Sequence, residues 1–327
     1  MIRFLVPVAF GLSALFFTHL SVAGETRDER EQQLAIASQD ESLSIEQRAH
    51  ATATLGEYSG ANALIAVGRA SRSEIVDLRV AAIMAASQWQ GKARWDVIEP
   101  LLSDDVVGVR NTALFSLLPH WKKMTPSYQA KLTFYVDGYL AKLTNSLDDQ
   151  LEFAWIEMSL GDHQSALARL EKLHSTTQQT RVAIGYANLL RRVGDNQSAK
   201  VVLQQAIQDS ESNAQLHYQL GLIHYAEQNQ LEATRLFQQA HQLEPSNNEI
   251  TYVYAISLSE QAPKQAETLF NDLYRRTKDP VHLYALCDVQ LANGEEGDEC
   301  LNTLRQVAPK KVVEQLIQQH KQDSNHV

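Results

Sequence analysis

The chain has 327 residues, 44% of them apolar and 7% aromatic, with a formal net charge of −10. An acidic chain with no basic cluster is a poor binder of nucleic acid or of an anionic membrane surface. Prominent Ala, Leu and Gln with only 8 prolines point to an all-α protein.

Met1-Ile2-Arg3 is a short basic start, and the stretch from Phe4 to Phe17 is apolar. Ser21-Val22-Ala23 then has the small-x-small form of a cleavage site. Residues 1–23 read as a secretory signal peptide cut before Gly24. The apolar run is interrupted by Pro7, Gly11, Thr18 and His19. It falls short of the roughly 18 consecutive apolar residues of a spanning helix. No later stretch is apolar enough to span, so no membrane span is expected after cleavage. The expected location is the periplasm of a Gram-negative cell, or secretion. No cysteine lies near the cut, which excludes lipid attachment to one there.

Residues 24–145 open with a short helix around Leu34-Ala35-Ile36-Ala37 that caps a helical array. Arg48, Arg79 and Arg110 then recur every 31 residues. Three residues before each is Ile45, Val76 or Val107, three after is Ala51, Ala82 or Ala113, and seven after is Leu55, Ala86 or Leu117. These offsets form one helical stripe. Six before each arginine stands Ser42, Ser73 or Asp104, expected to be N-caps. Second helices are predicted over 61–70 and 94–102. This pattern resembles HEAT repeats, whose second helix opens with a Val-Arg pair after an aspartate. Only the Asp104–Arg110 copy carries the full pattern, so the Asp–Arg ladder of that family is expected there alone. Turn-like sequence follows Pro119, and Pro126 opens a bridging helix that runs to about Asn145.

A second period covers residues 146–311. A small residue recurs at Ala166, Ala199, Ala233, Ala266 and Gly297, in steps of 33, 34, 33 and 31. Four further on are Leu170, Leu203, Phe237, Phe270 and Leu301, and seven further on Leu173, Ala206, Ala240, Leu273 and Leu304. A first-helix small position falls at Ala154, Ala187, Gly221, Ala255 and Ala285. The stretch from Ala214 to Asn247 is the clearest copy, with Leu220-Gly221, Ala233, Phe237, Ala240 and Pro245. It resembles the tetratricopeptide (TPR) repeat. His217 stands at that family's fourth-position aromatic, and His224, followed by Tyr225, replaces its tyrosine. The resemblance implies about five antiparallel helix pairs in a right-handed solenoid. Residues 312–327 are predicted as a capping helix, which covers the last apolar face of a solenoid, and a disordered tail.

No Cys-x-x-Cys-His, His-Glu-x-x-His, P-loop, Gly-x-Ser-x-Gly or dinucleotide glycine motif occurs. No cofactor, metal or catalytic residue is implied. His217 and His224 fall at TPR core columns and read as structural. Asp104-Asp105 and Asp148-Asp149 lie at helix starts, where negative charge favours the dipole. Cys287 and Cys300, on the two helices of the last repeat, form a possible disulfide in an exported chain.

In TPR proteins the first helix of each pair lines the concave side. By this resemblance the candidate peptide- or protein-binding residues are Trp155, Asn188, Arg191, Arg192, Tyr218, Tyr225 and Tyr252, joined in the groove by Leu151, Met158 and Leu222. Arg191 and Arg192 beside aromatics make a basic spot for the carboxylates of an extended peptide. HEAT-like repeats followed by TPRs also resemble the C-terminal region of some periplasmic multihaem c-type cytochromes, over residues 40–310 and without any haem motif. The expected function is a non-catalytic exported scaffold with a periplasmic protein or peptide partner. An accessory subunit of a cytochrome or secretion complex is one alternative; an enzyme such as a cell-wall hydrolase is another. The oligomeric state is not legible in the residues.

Overall fold

The computed structural model describes residues 26–323, apart from 296 and 309. The signal peptide expected over 1–23 and most of the expected tail lie outside these residues. Among the described residues there are helices and turns and no strand. None of these helices is long and apolar enough to cross a membrane. The chain divides into two units between Ala166 and Leu167, later than the 145/146 boundary expected from the sequence.

The first unit holds α1 (Arg27–Ala37), α2 (Ile45–Thr54), α3 (Ala61–Ala70), α4 (Val76–Ser87), α5 (Gly91–Ile98), α6 (Val107–Leu117), α7 (Pro126–Leu140) and α8 (Leu147–Leu160). Its core joins Leu55, Ala82, Ile83, Ile98, Ala113, Leu117 and Leu132. α3 has no side-chain cap of its own at Gly60. Glu31 of α1 supplies one, its Oε1 accepting from the Ala63 amide at 2.9 Å. A Cβ on Gly60 would sit 2.4 Å from that carboxylate, so a larger residue there would have to displace the Glu31 side chain from its cap.

Two expectations for this unit are corrected. Ser42, Ser73 and Asp104 are not N-caps: α2 is capped by Ser44, and the cap positions of α4 and α6 are Ile75 and Val106. Ser73 Oγ and Asp104 Oδ1 instead accept from the amides two residues on, at 3.1 and 2.9 Å, closing the turn before each helix. Second, Ile45, Val76 and Val107 are not core residues but are exposed by 44%, 39% and 58%. Each is the first residue of its helix, so no preceding turn carries its side chain over the core.

Two of the three repeat arginines are anchored by backbone carbonyls. Arg79 Nη1 donates to Ser73 O and Glu74 O, and Arg110 Nη1 to Asp104 O and Asp105 O. Arg79 also meets Asp104, Nε to Oδ2 at 2.7 Å, with the two side chains only 12% and 8% exposed. Burial by itself raises the Asp104 pKa, but the Val106 amide and Arg79 outweigh it and hold the carboxyl below its ordinary value.

α9 (His163–Thr176) spans the division. The second unit continues with α10 (Thr180–Arg192), α11 (Asn196–Asp209), α12 (Ala214–Ala226), α13 (Gln230–Leu243), α14 (Asn248–Leu258), α15 (Pro263–Thr277), α16 (Pro280–Ala292), α17 (Asp298–Val307) and α18 (Lys310–Asp323). From α10 to α17 each helix packs on the next, and α18 lies on α16 and α17. Asp195, Asn213, Asn229, Asn247 and Asp279 cap five of these helices with side-chain oxygens.

The repeat columns are the core of this unit. Ala187, Ala199, Leu203, Ala233, Phe237, Ala255, Ala266, Phe270 and Leu304 are all at most 1% exposed. The crossing that requires a small residue is visible at Gly221, where a Cβ would lie 2.7 Å from the Phe237 ring. Gly297 departs from its column. It sits just before α17 at φ +60°, a left-handed conformation that suits glycine, rather than inside the helix.

Candidate binding site

The first helices of the second unit align on Ala187, Gly221, Ala255 and Ala285. Three residues before each stands Ile184, Tyr218, Tyr252 or His282, and four after stands Arg191, Tyr225, Ser259 or Val289.

Tyr218 is only 5% exposed and belongs to the core, its ring 6.2 Å from that of Phe237. Its hydroxyl donates to Glu249 Oε1 of α14 at 2.7 Å. Burial first, then Glu249, pushes the phenol pKa up, while Arg191 acts in the opposite direction. The reading of Tyr218 as an open groove contact is therefore corrected. The ring is a wall of the face, and only its polar edge reaches the neighbourhood of Arg191.

Tyr225 is 42% exposed and packs one edge near Phe237, ring to ring 6.5 Å. Tyr252 is half-buried, with Phe270 at 5.8 Å and His282 of the next first helix at 5.5 Å. Burial raises its hydroxyl pKa, and Asp279 and Asp288 add to the shift. Arg191 and Arg192 are exposed in the last turn of α10, where cations suit the helix dipole. Asn188 is half-buried on the same helix. Trp155 lies in the first unit, half-buried against its core with Phe115 at 5.4 Å. The structure thus gathers six of the seven candidates in one unit and assigns Trp155 to the other.

Glu249, Asp279 and His282 join this face without having been singled out in sequence. Glu249 could have been found, because it precedes Tyr252 by three residues on a first helix. His282 is held by Thr277 Oγ1 at 2.7 Å from Nδ1, and burial lowers its pKa. His217 is buried, with Nε2 2.8 Å from Glu211 O, as suits a structural residue. Cys287 and Cys300 are bonded at 2.02 Å and tie α16 to α17.

Helix pairs repeating along a chain, with small residues at each crossing, define an all-α helical-repeat solenoid of the tetratricopeptide type. No family model and no curated protein matches the chain. Solved structures do. Yeast Tom70 is similar over 95% of this chain and 66% of its own, at 11% identity and a TM-score of 0.56. YrrB, a TPR protein with an unusual peptide-binding site, is similar over 53% of this chain and 91% of its own, at 18% identity and a TM-score of 0.45. MamA is similar over 56% and 99%, at 12% identity and 0.42. At these identities the likeness is one of fold.

Proposed function

We propose that this chain is an exported, non-catalytic scaffold that binds a protein or an extended peptide along the first-helix face of its second unit. The observation that carries this reading is the exposure of Arg191, Arg192 and Tyr225 on successive first helices, beside the half-buried Asn188 and Tyr252. Arginine and tyrosine concentrate binding energy at interfaces. A peptide laid across this face meets guanidinium groups that bind carboxylates and rings that pack its apolar side chains. The bond between Cys287 and Cys300 supports an oxidising compartment such as the periplasm.

The test is a pull-down from periplasm with the mature chain and with an Arg191→Ala/Tyr225→Ala variant. A partner held by the parent is expected to be lost by the variant at unchanged helical content. Equal capture by both would move recognition to another surface. N-terminal sequencing of the protein made in a Gram-negative host is expected to begin at Gly24; an intact Met1 would defeat the export reading.

A further inference from the structure

The charges on the first helices of the second unit are sorted. α10 carries Arg181, Arg191 and Arg192 and no acid; α12 carries neither lysine, arginine, aspartate nor glutamate. α14 carries Glu249 alone, and α16 carries Asp288 alone, with Asp279 at its N-cap. Glu249 and Asp279 are exposed, as are Arg191 and Arg192. Of the cations by the acidic end, Arg276 is paired with Asp272, Nε to Oδ2 at 3.0 Å, and Lys278, which precedes Asp279, lies over the Tyr274 ring at 5.6 Å. Asp288 is 2.7 Å from His320 Nε2, and Glu249 already accepts from the Tyr218 hydroxyl, which leaves Asp279 as the exposed acid of the far helix.

Between the ends lie Tyr218, Tyr225 and Tyr252. The ring contact of Tyr252 with His282 and the bond from Tyr218 to Glu249 show that neighbouring first helices present these positions side by side. Four helices about 10 Å across span about 30 Å between the axes of the outer two. An extended chain covers that distance with roughly nine residues.

We propose that this face selects an extended oligopeptide whose charges are segregated, with its acidic or carboxylate end on Arg191 and Arg192 and its basic or amino end beside Asp279 and Tyr252. This rests on the peptide-binding reading above and adds polarity to it. A peptide laid the other way puts like charges together at both ends, and such juxtaposition suppresses wrong partners. The acidic net charge of the protein does not repel such a ligand, because the ligand meets each end with the opposite sign.

The test is selection of a displayed random nonapeptide library on the immobilised full chain. Enriched sequences are expected to carry Lys or Arg towards one end and Asp or Glu towards the other. Their affinity is expected to fall at least tenfold in Arg191→Gln/Arg192→Gln, which removes the charge without placing acids at the helix C-terminus and is expected to keep the helical content of the parent. Salt is expected to weaken binding to the parent more than to the variant. Enriched peptides with no charge segregation, or with affinity unchanged by the variant, would overturn the polarity and leave peptide binding standing. No enrichment at all would overturn both.

Discussion

The Tyr218 hydroxyl donates to Glu249 Oε1 at 2.7 Å, joining the first helix of one repeat to that of the next. The pair separates two roles on one face. Tyr218 holds neighbouring repeats together, while the exposed Arg191 beside its polar edge is free to meet a ligand.

Tyr218→Phe keeps the ring and removes the hydroxyl. With Glu249 exposed, the expected loss is about 1 kcal/mol of unfolding free energy. Tyr218→Ala empties a core position and is expected to cost about 3–5 kcal/mol. Arg191→Ala is expected to stay within about 0.5 kcal/mol of the parent. Urea unfolding followed by circular dichroism measures all three. A Tyr218→Ala protein as stable as the parent would return the ring to the surface.

Gly221→Ala places a methyl group where the Phe237 ring already lies, 2.7 Å away. The helices must part or the ring must turn, at about 1–3 kcal/mol. Phe237→Leu added to Gly221→Ala is expected to cost less than the two single changes combined. Strict additivity in thermal melts would show that the contact is not the cause.

Stability is expected to fall with mild acid. The pKa values of His120, His241 and His282 are lowered, with burial the largest cause in each. Arg94 and Lys123 add to it at His120, and Arg276 at the other two. An unfolded histidine takes a proton near about pH 6.5, before the folded sites do. Between that value and the lower folded ones, the unfolded chain binds more protons, so stability declines as pH drops. Asp104 and Asp195, whose pKa values are also lowered, act only below about pH 4, where their stabilisation is lost. Urea midpoints at about pH 8, 6 and 5 should descend. The slope should flatten in His241→Gln/His282→Gln; an unchanged slope would clear these histidines.

Cys287→Ser/Cys300→Ser opens a bridge between residues 13 apart in sequence. On the chain-entropy model the expected loss is about 3 kcal/mol. Thiol titration of the unfolded, unreduced parent is expected to find no reactive thiol. Two thiols would exclude the bridge.

Asp104→Asn withdraws the charge that faces Arg79, and the side chains are 8% and 12% exposed. Leaving a buried guanidinium without its partner is expected to cost about 3–5 kcal/mol, and Arg79→Met in the same chain should restore part of it. A loss below about 1 kcal/mol, the range of a surface pair, would show that solvent reaches the pair.

The repeat framework was legible in the residues because helix crossings constrain composition. Ala199, Ala233 and Ala266 recur where only a small side chain fits, and Phe237 and Phe270 recur where a large one fills the gap. The bond between Cys287 and Cys300 was left open by the residues, because two positions on an antiparallel pair can point together or apart, and the fold decides it. Helical periodicity states which face a residue occupies; it does not state what covers that face. Tyr218 stands in a groove column by pattern, yet its ring turns onto Phe237 and its hydroxyl finds Glu249, 31 residues away. Val76 and Val107 keep the stripe's spacing but begin their helices, so no packed turn lies beneath them. Trp155 matches the groove pattern of the later repeats and packs instead in the first unit against Phe115. For Tyr218 and Trp155 the deciding neighbour comes from another helix, and its distance and direction exist only once the chain has folded.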